Sequence, residues 1–165
     1  MKRFLLVFVF LVAVLFFSGC AIFQPEPELD IVDTAIQNGN FTTLVGALTE
    51  ADLVTTLRGS GPFTVFAPTD DAFDKIDPAV LSDLVADVPK LTKVLTFHVV
   101  SGEYLAADVV GMTSLTSLEG SDLNINVTGS TVQIDGAVIT ITDIECSNGV
   151  IHVIDSVMIP PTVTL

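Results

Sequence analysis

The stretch Gly61 to Ile76 constrains this chain more than any other. It reads Gly-Pro-Phe-Thr-Val-Phe-Ala-Pro-Thr-Asp-Asp-Ala-Phe-Asp-Lys-Ile. Phe63 to Phe66 has the aromatic and β-branched content of a short buried strand. Ala67 and Pro68 end it. Thr69 is placed to cap a helix, because its hydroxyl can accept from an N–H one turn in. Asp70 and Asp71 follow in the first turn, where the helix dipole favours negative charge. Phe73 and Ile76 lie three apart and face the core together. Any fold for this chain must bury a strand and turn at once into a capped helix.

The N-terminus is a different kind of sequence. Lys2 and Arg3 precede an unbroken apolar run, Phe4 to Phe17, followed by Ser18 and Gly19. Residues 1–19 therefore read as a secretory signal peptide. The run is shorter than the about 20 apolar residues a transmembrane helix needs. Small-small-Cys after such a run resembles a bacterial lipobox, with Phe17 where the pattern has Leu. That resemblance implies lipid attachment at Cys20 and the membrane as a partner. Ordinary cleavage and an uncleaved anchor are the other two readings. Pro25-Glu26-Pro27-Glu28 disfavours helix, so 20–28 reads as an acidic, Pro-rich spacer. The domain is expected over 29–161, with 162–165 as a C-terminal tail.

Within the domain, the first half reads as helices. Asp30 can cap one with Ile31, Ala35 and Ile36 as its apolar stripe, and Asn38-Gly39 ends it. Asn40 can cap the next, which carries Phe41, Leu44, Val45 and Leu48. Glu50 to Arg58 predicts a third. Asp77-Pro78 and Asp87 start two more, the second running to Thr96, and Phe97 to Val100 is expected to be extended. Tyr104 to Val110 fits either a strand end or a helical turn. From Ser114 the pattern is β: 114–118, 122–127, 131–134, 138–143 and 150–157 alternate or are β-branched. Gly129-Ser130 and Asp135-Gly136 fit tight hairpin turns, and Asn148-Gly149 is a further turn signal. Helices first and hairpins second predict an α+β domain.

Charge narrows the partners. Asp and Glu number 20 against 6 Lys and Arg, for a net charge of −14, and loss of Lys2 and Arg3 deepens it. So acidic a surface argues against nucleic acid and against anionic headgroups. It is suited to solubility and self-repulsion, or to a basic or cation-bridged partner. One Tyr and no Trp leave little for stacking sugars or bases. With Cys20 acylated, Cys146 has no disulfide partner and reads as a small buried hydrophobe.

Three ordered blocks resemble the signatures of fasciclin-like domains. The first is Gly61 to Phe73. The second, Leu95 to Gly102 (Leu-Thr-Phe-His-Val-Val-Ser-Gly), resembles the family's central Tyr-His segment, with Phe97 in place of Tyr. The third is Ser147 to Pro160. The resemblance spans roughly 29–160. It implies a wedge of two β-sheets with helices packed along one edge. It also implies a structural signature at Phe63, Phe66, Pro68, Thr69, Asp70, Phe73, His98, Asn148, Gly149, His152 and Asp155. In some family members the central segment is the proposed contact, which here would be Phe97, His98, Val99 and Val100.

No constellation carries catalysis strongly. His98 is read as a largely buried histidine bonded to Asp70 or Asp71, or alternatively as a metal ligand or general base. His152 sits in an apolar strand as a core histidine. Ser156, His152 and Asp155 make a triad on paper, but they lie too close along one strand to converge. Asp70, Asp71, Asp74 and Asp77 lack the order and closing Glu of a calcium loop. Asn40 and Asn126 open glycosylation-type triplets. No catalytic residue, metal or cofactor is expected. The expected function is a non-enzymatic, lipid-anchored envelope module for adhesion to a cell-surface or matrix protein or polysaccharide. The alternative is an extracytoplasmic small-ligand-binding or chaperone-like protein.

Overall fold

The structure, a computed structural model, describes residues 29–164; the signal segment, Cys20 and the spacer fall outside the described residues. Helix α1 (Ile31–Asn38) starts where Asp30 accepts from the Asp33 N–H at 2.8 Å. It stops at Gly39, whose φ of 76° is the left-handed conformation glycine tolerates. Ile31, Val32 and Ala35 are buried, but Ile36 is 53 % exposed. The apolar stripe is thus rotated onto Val32, because the capped first turn sets the helix phase. Helix α2 is Thr42–Glu50 and α3 only Val54–Leu57. The expected third helix is cut short because α2 runs through Glu50 and Asp52 then takes a left-handed φ of 54°.

Strand β1 (Phe63–Pro68) runs into α4 (Asp70–Asp74), and Thr69 caps it by accepting from the Ala72 N–H at 3.3 Å. Helices α5 (Pro78–Ala86) and α6 (Val88–Phe97) use one device twice, an Asp cap followed by proline. Asp77 accepts from the Ala79 N–H and Asp87 from the Lys90 N–H. Phe97 is helical rather than extended, and β2 (Val99–Ser101) starts two residues later. The ambiguous stretch after Gly102 contains a short helix, α7 (Ala106–Val109).

The second half is β3 (Ser114–Thr116), β4 (Asp122–Thr128), β5 (Thr131–Ile134), β6 (Ala137–Cys146) and β7 (Gly149–Ile154). Thr128 pairs with Thr131 and Ile134 with Ala137, so Gly129-Ser130 and Asp135-Gly136 are two-residue hairpin loops as expected. Both Asp135 and Gly136 have positive φ, which a type I′ turn demands. β6 is longer than its alternating core because it continues through two register irregularities and stays paired with β7 to Cys146. β7 ends at Ile154, before the expected 157.

The strand order is β2-β1-β7-β6-β5-β4-β3, antiparallel except for β1 with β7. The two ends of the sheet nearly meet, since the Leu118 N–H donates to the Val99 carbonyl at 2.7 Å and Val100 bridges Ser117. The curled sheet makes the expected α+β wedge, with two interiors. Val65 and Ala67 of β1 and Ile151 and Val153 of β7 pack with Leu44, Leu48 and Leu95 of the helices. Phe66 and Ile154 point the other way, onto Phe97, Leu115, Leu123 and Ile134. That split is the period-two alternation of a strand. The buried side chains of both interiors lie between Ile31 and Met158, so residues 29–164 carry a core of their own. Val163, in the expected tail, is also buried, beside Leu84 and Val94.

Phe66 is fully buried. Phe66→Ala is therefore expected to cost about 3–5 kcal/mol, lowering Tm by about 10 °C or more in thermal unfolding. An unchanged Tm would contradict this placement of the core.

Candidate functional site

The residues singled out by the sequence converge on the junction between β1 and β7. Asn148 is the bracket. Its side-chain NH₂ donates to the Leu57 carbonyl at 2.6 Å and the Gly59 carbonyl at 3.1 Å, and its Oδ1 accepts from the Ile31 N–H. Its backbone carbonyl accepts from the Phe63 N–H. One side chain and one carbonyl thus hold α1, α3 and β1 together. Gly149 faces Phe63 so closely that a Cβ there would lie 1.9 Å from the Phe63 carbonyl oxygen. Any other residue would push the strands apart.

Asp70 does not meet His98. Its carboxylate accepts from the Thr42 N–H, the Thr42 hydroxyl and the Thr43 N–H, so it caps α2 from another element. Asn40, expected in that role, bonds Asn38 through its side chain instead and accepts the Asp70 N–H on its carbonyl. Partial burial pushes the Asp70 carboxyl up, but the hydrogen bonds from Thr43 and Thr42 prevail and hold it below the usual carboxylate range. Asp155 is the matching joint at the far end. It accepts from the Val138 N–H at 2.9 Å and pairs with Lys75, whose Nζ also donates to the Asp155 carbonyl.

The two histidines are fixed in opposite tautomers. His98 Nδ1–H donates to the Val94 carbonyl at 2.7 Å, while Nε2 accepts from the Met158 N–H at 3.0 Å. Its backbone carbonyl also accepts from the Phe66 N–H. Burial drives its pKa down from 6.5 to about 4, against the bond to Val94 that favours the charged ring. In His152, Nδ1 accepts from the Asp143 N–H and Nε2–H donates to the Tyr104 carbonyl, with the ring stacked on Phe66 at 5.6 Å. Both nitrogens of both rings are spent on backbone. Ser156 bonds Asp155, not His152, so the paper triad does not assemble. The central segment Phe97-His98-Val99-Val100 is buried throughout, at 3 % exposure or less. In the folded domain it is core.

The remaining candidates are quiet. Among the described residues no three His, Cys, Asp or Glu side chains gather as a metal-binding set. Cys146 is half-buried, its thiol donating to the Thr34 hydroxyl at 3.4 Å, and burial pushes its pKa up. That lowers its thiolate fraction. Sequence reasoning missed the bracket at Asn148 and the remote cap at Asp70. It also missed Thr64, which is fully buried and links the Gly102 carbonyl to the Tyr104 N–H. The turn signal Asn148-Gly149 was visible, but nothing in the spacing indicates what its side chain reaches.

Two outcomes follow from these geometries. The Asp70→Ala change is expected to cost about 1–2 kcal/mol, as loss of a helix cap does. Since the folded carboxyl titrates below its unfolded value, that stabilisation is present above about pH 4 and lost on further acidification. Wild-type and variant melting curves therefore converge at low pH, and a gap constant down to pH 2 would contradict the capping role. His98 binds its proton less tightly when folded. Its contribution is complete above about pH 6.5 and is lost toward about pH 4, at about 1.4 kcal/mol per unit. Its ring resonances should stay flat from pH 7.5 to 5.5 by NMR, and a midpoint near 6.5 would refute the burial argument.

Comparison with known proteins agrees with this arrangement. The Fasciclin domain profile matches residues 39–160. An uncharacterised protein of Synechocystis sp. is 45 % identical over 130 residues, covering 79 % of this chain and 97 % of the relative. The cell surface glycolipoprotein MPB83 of Mycobacterium bovis is 32 % identical over 136 residues, covering 79 % of this chain and 60 % of the relative. A FAS1 domain pair from the insect cell adhesion molecule fasciclin I superposes with a TM-score of 0.64 at 19 % identity, over 81 % of this chain and 52 % of that one. A profile match across both halves of the β1–β7 junction, with the same fold in a solved structure, places the chain in the fasciclin domain family.

Proposed function

We infer that the protein is a non-enzymatic, extracytoplasmic adhesion or interaction module, lipid-anchored through Cys20 to the cell envelope. The observation that carries this reading is how the polar residues are used. The histidines, Asn148, Asp70 and Asp155 are spent on joints of the fold, so they are not free to work on a substrate. The exterior is what remains for function. Arg58 pairs with Asp30 and Asp33, Lys75 with Asp155, and Lys90 with Asp87. Asp71, Asp74, Asp83, Glu103 and Asp108 stay exposed. A surface of this sign suits a basic or cation-bridged partner on a surface protein or extracellular polymer and repels nucleic acid. A relative named as a cell surface glycolipoprotein supports the location and the anchor. The contact is assigned to this acidic exterior and not to the buried Phe97–Val100 segment.

Residues 26–165 are expected to bind isolated envelope or extracellular-polymer fractions saturably, with affinity falling as salt rises and responding to calcium if cations bridge the contact. Binding no greater than that of an acidic control protein in every fraction would overturn the adhesion reading.

A further inference from the structure

We propose that the cleft enclosed by α2, α4, α5 and α6 is a binding site for the hydrocarbon chain of a small amphiphile with a neutral or cationic head. The inference is independent of the adhesion reading. The cleft is a cavity of about 220 Å³, floored by Leu44, Phe73, Leu91, Val94 and Leu95 and open at a rim of Gly46, Glu50 and Val85. A dry apolar cavity of about 150 Å³ takes up benzene, so this one has room for roughly eight or nine chain carbons. Water has little to hold it there. The one polar ring on the floor, His98, has both nitrogens committed to Val94 and Met158. A water needs two to four partners to be worth burying.

The wall shows that the space is not a packing accident. Native interiors leave few voids larger than a water molecule, yet α2 lines this cavity with Gly46 and Ala47. A Cβ built at Gly46 meets nothing within 4 Å, and its φ lies outside the left-handed region, so neither sterics nor backbone conformation requires glycine. Mid-helix glycine instead costs about 1 kcal/mol relative to alanine. A larger residue at Gly46 would improve helix propensity and has open space to occupy, and neither opportunity is taken at this opening. Rules broken together in one place mark a functional site. Glu50 at the rim and the net charge of −14 set the head group, because they oppose a carboxylate or phosphate at the mouth.

The test is an NMR titration of residues 26–165 with octyltrimethylammonium, 1-octanol and octanoate below their aggregation concentrations, read on the methyl groups of Ala47, Leu84, Val94 and Leu95. The first two probes should shift these methyls saturably, and octanoate should bind at least about 10-fold more weakly. Gly46→Leu should abolish the shifts without lowering Tm, and Glu50→Lys should reverse the preference toward octanoate. No saturable shift with any probe, or binding unaffected by a folded Gly46→Leu protein, would overturn the site. Octanoate binding as tightly as the ammonium probe to the wild-type protein would overturn the head-group assignment.

Discussion

The parallel pairing of β1 with β7 governs everything around it. Antiparallel neighbours can be joined by a two-residue turn, but a parallel pair requires a long connection. Here Phe63 pairs with Gly149 and Pro68 with Ile154, so residues 69–148 all lie between the two strands. Both strands are central, flanked by β2 on one side and β6 on the other. Their opposite faces feed both interiors, with Val65, Ala67, Ile151 and Val153 toward the helices and Phe66 and Ile154 into the curled sheet. The close approach at Gly149 and the bracket at Asn148 set the register at which this pairing starts. A one-residue slip would exchange the two faces and bury His152 in the wrong interior.

Local chemistry was the legible part of the sequence. Thr69, Asp77 and Asp87 cap helices where short polar residues precede apolar periods, and Gly129-Ser130 and Asp135-Gly136 turn where such pairs must. The misreadings arose where a specific hydrogen bond, remote or local, outweighed the general pattern. Asn40 has the chemistry of a cap, but the α2 N-terminus was already occupied by a carboxylate from α4. Ile36 belongs to an apolar period, yet the helix phase follows the Asp30 cap and places it in solvent. Phe97 reads as strand beside Val99 and Val100, but α6 continues until the His98 ring can reach back to the Val94 carbonyl. Only the Asn40 case turns on a residue remote in sequence; the other two turn on local bonds that override an apolar or β-branched pattern.

The same distinction separates the family signature from function. A motif that combines histidine, aspartate and asparagine invites a catalytic reading. In this fold those groups answer the polar demands of the backbone: a helix start whose N–H groups lack an acceptor, a strand junction, a carbonyl at the end of α6. Buried polar groups must be satisfied wherever they occur, and a wedge whose sheet nearly closes on itself creates many such demands. The signature therefore identifies how the domain is assembled. The acidic exterior and the apolar cleft among α2, α4, α5 and α6 are the places where a function can be sought.

Because β7 is central, the end of the domain is also its keystone. A polypeptide emerging from a ribosome or a membrane pore presents β1 early, with only β2 available nearby in sequence. Ile151, Val153 and Ile154, which seal both interiors, arrive late. A molecule truncated before Gly149 would lose an inner strand rather than an edge, exposing both apolar interiors to proteases at once. Intactness is thereby checked by the architecture itself, since an unfinished copy cannot conceal its hydrophobic surface and a finished one can.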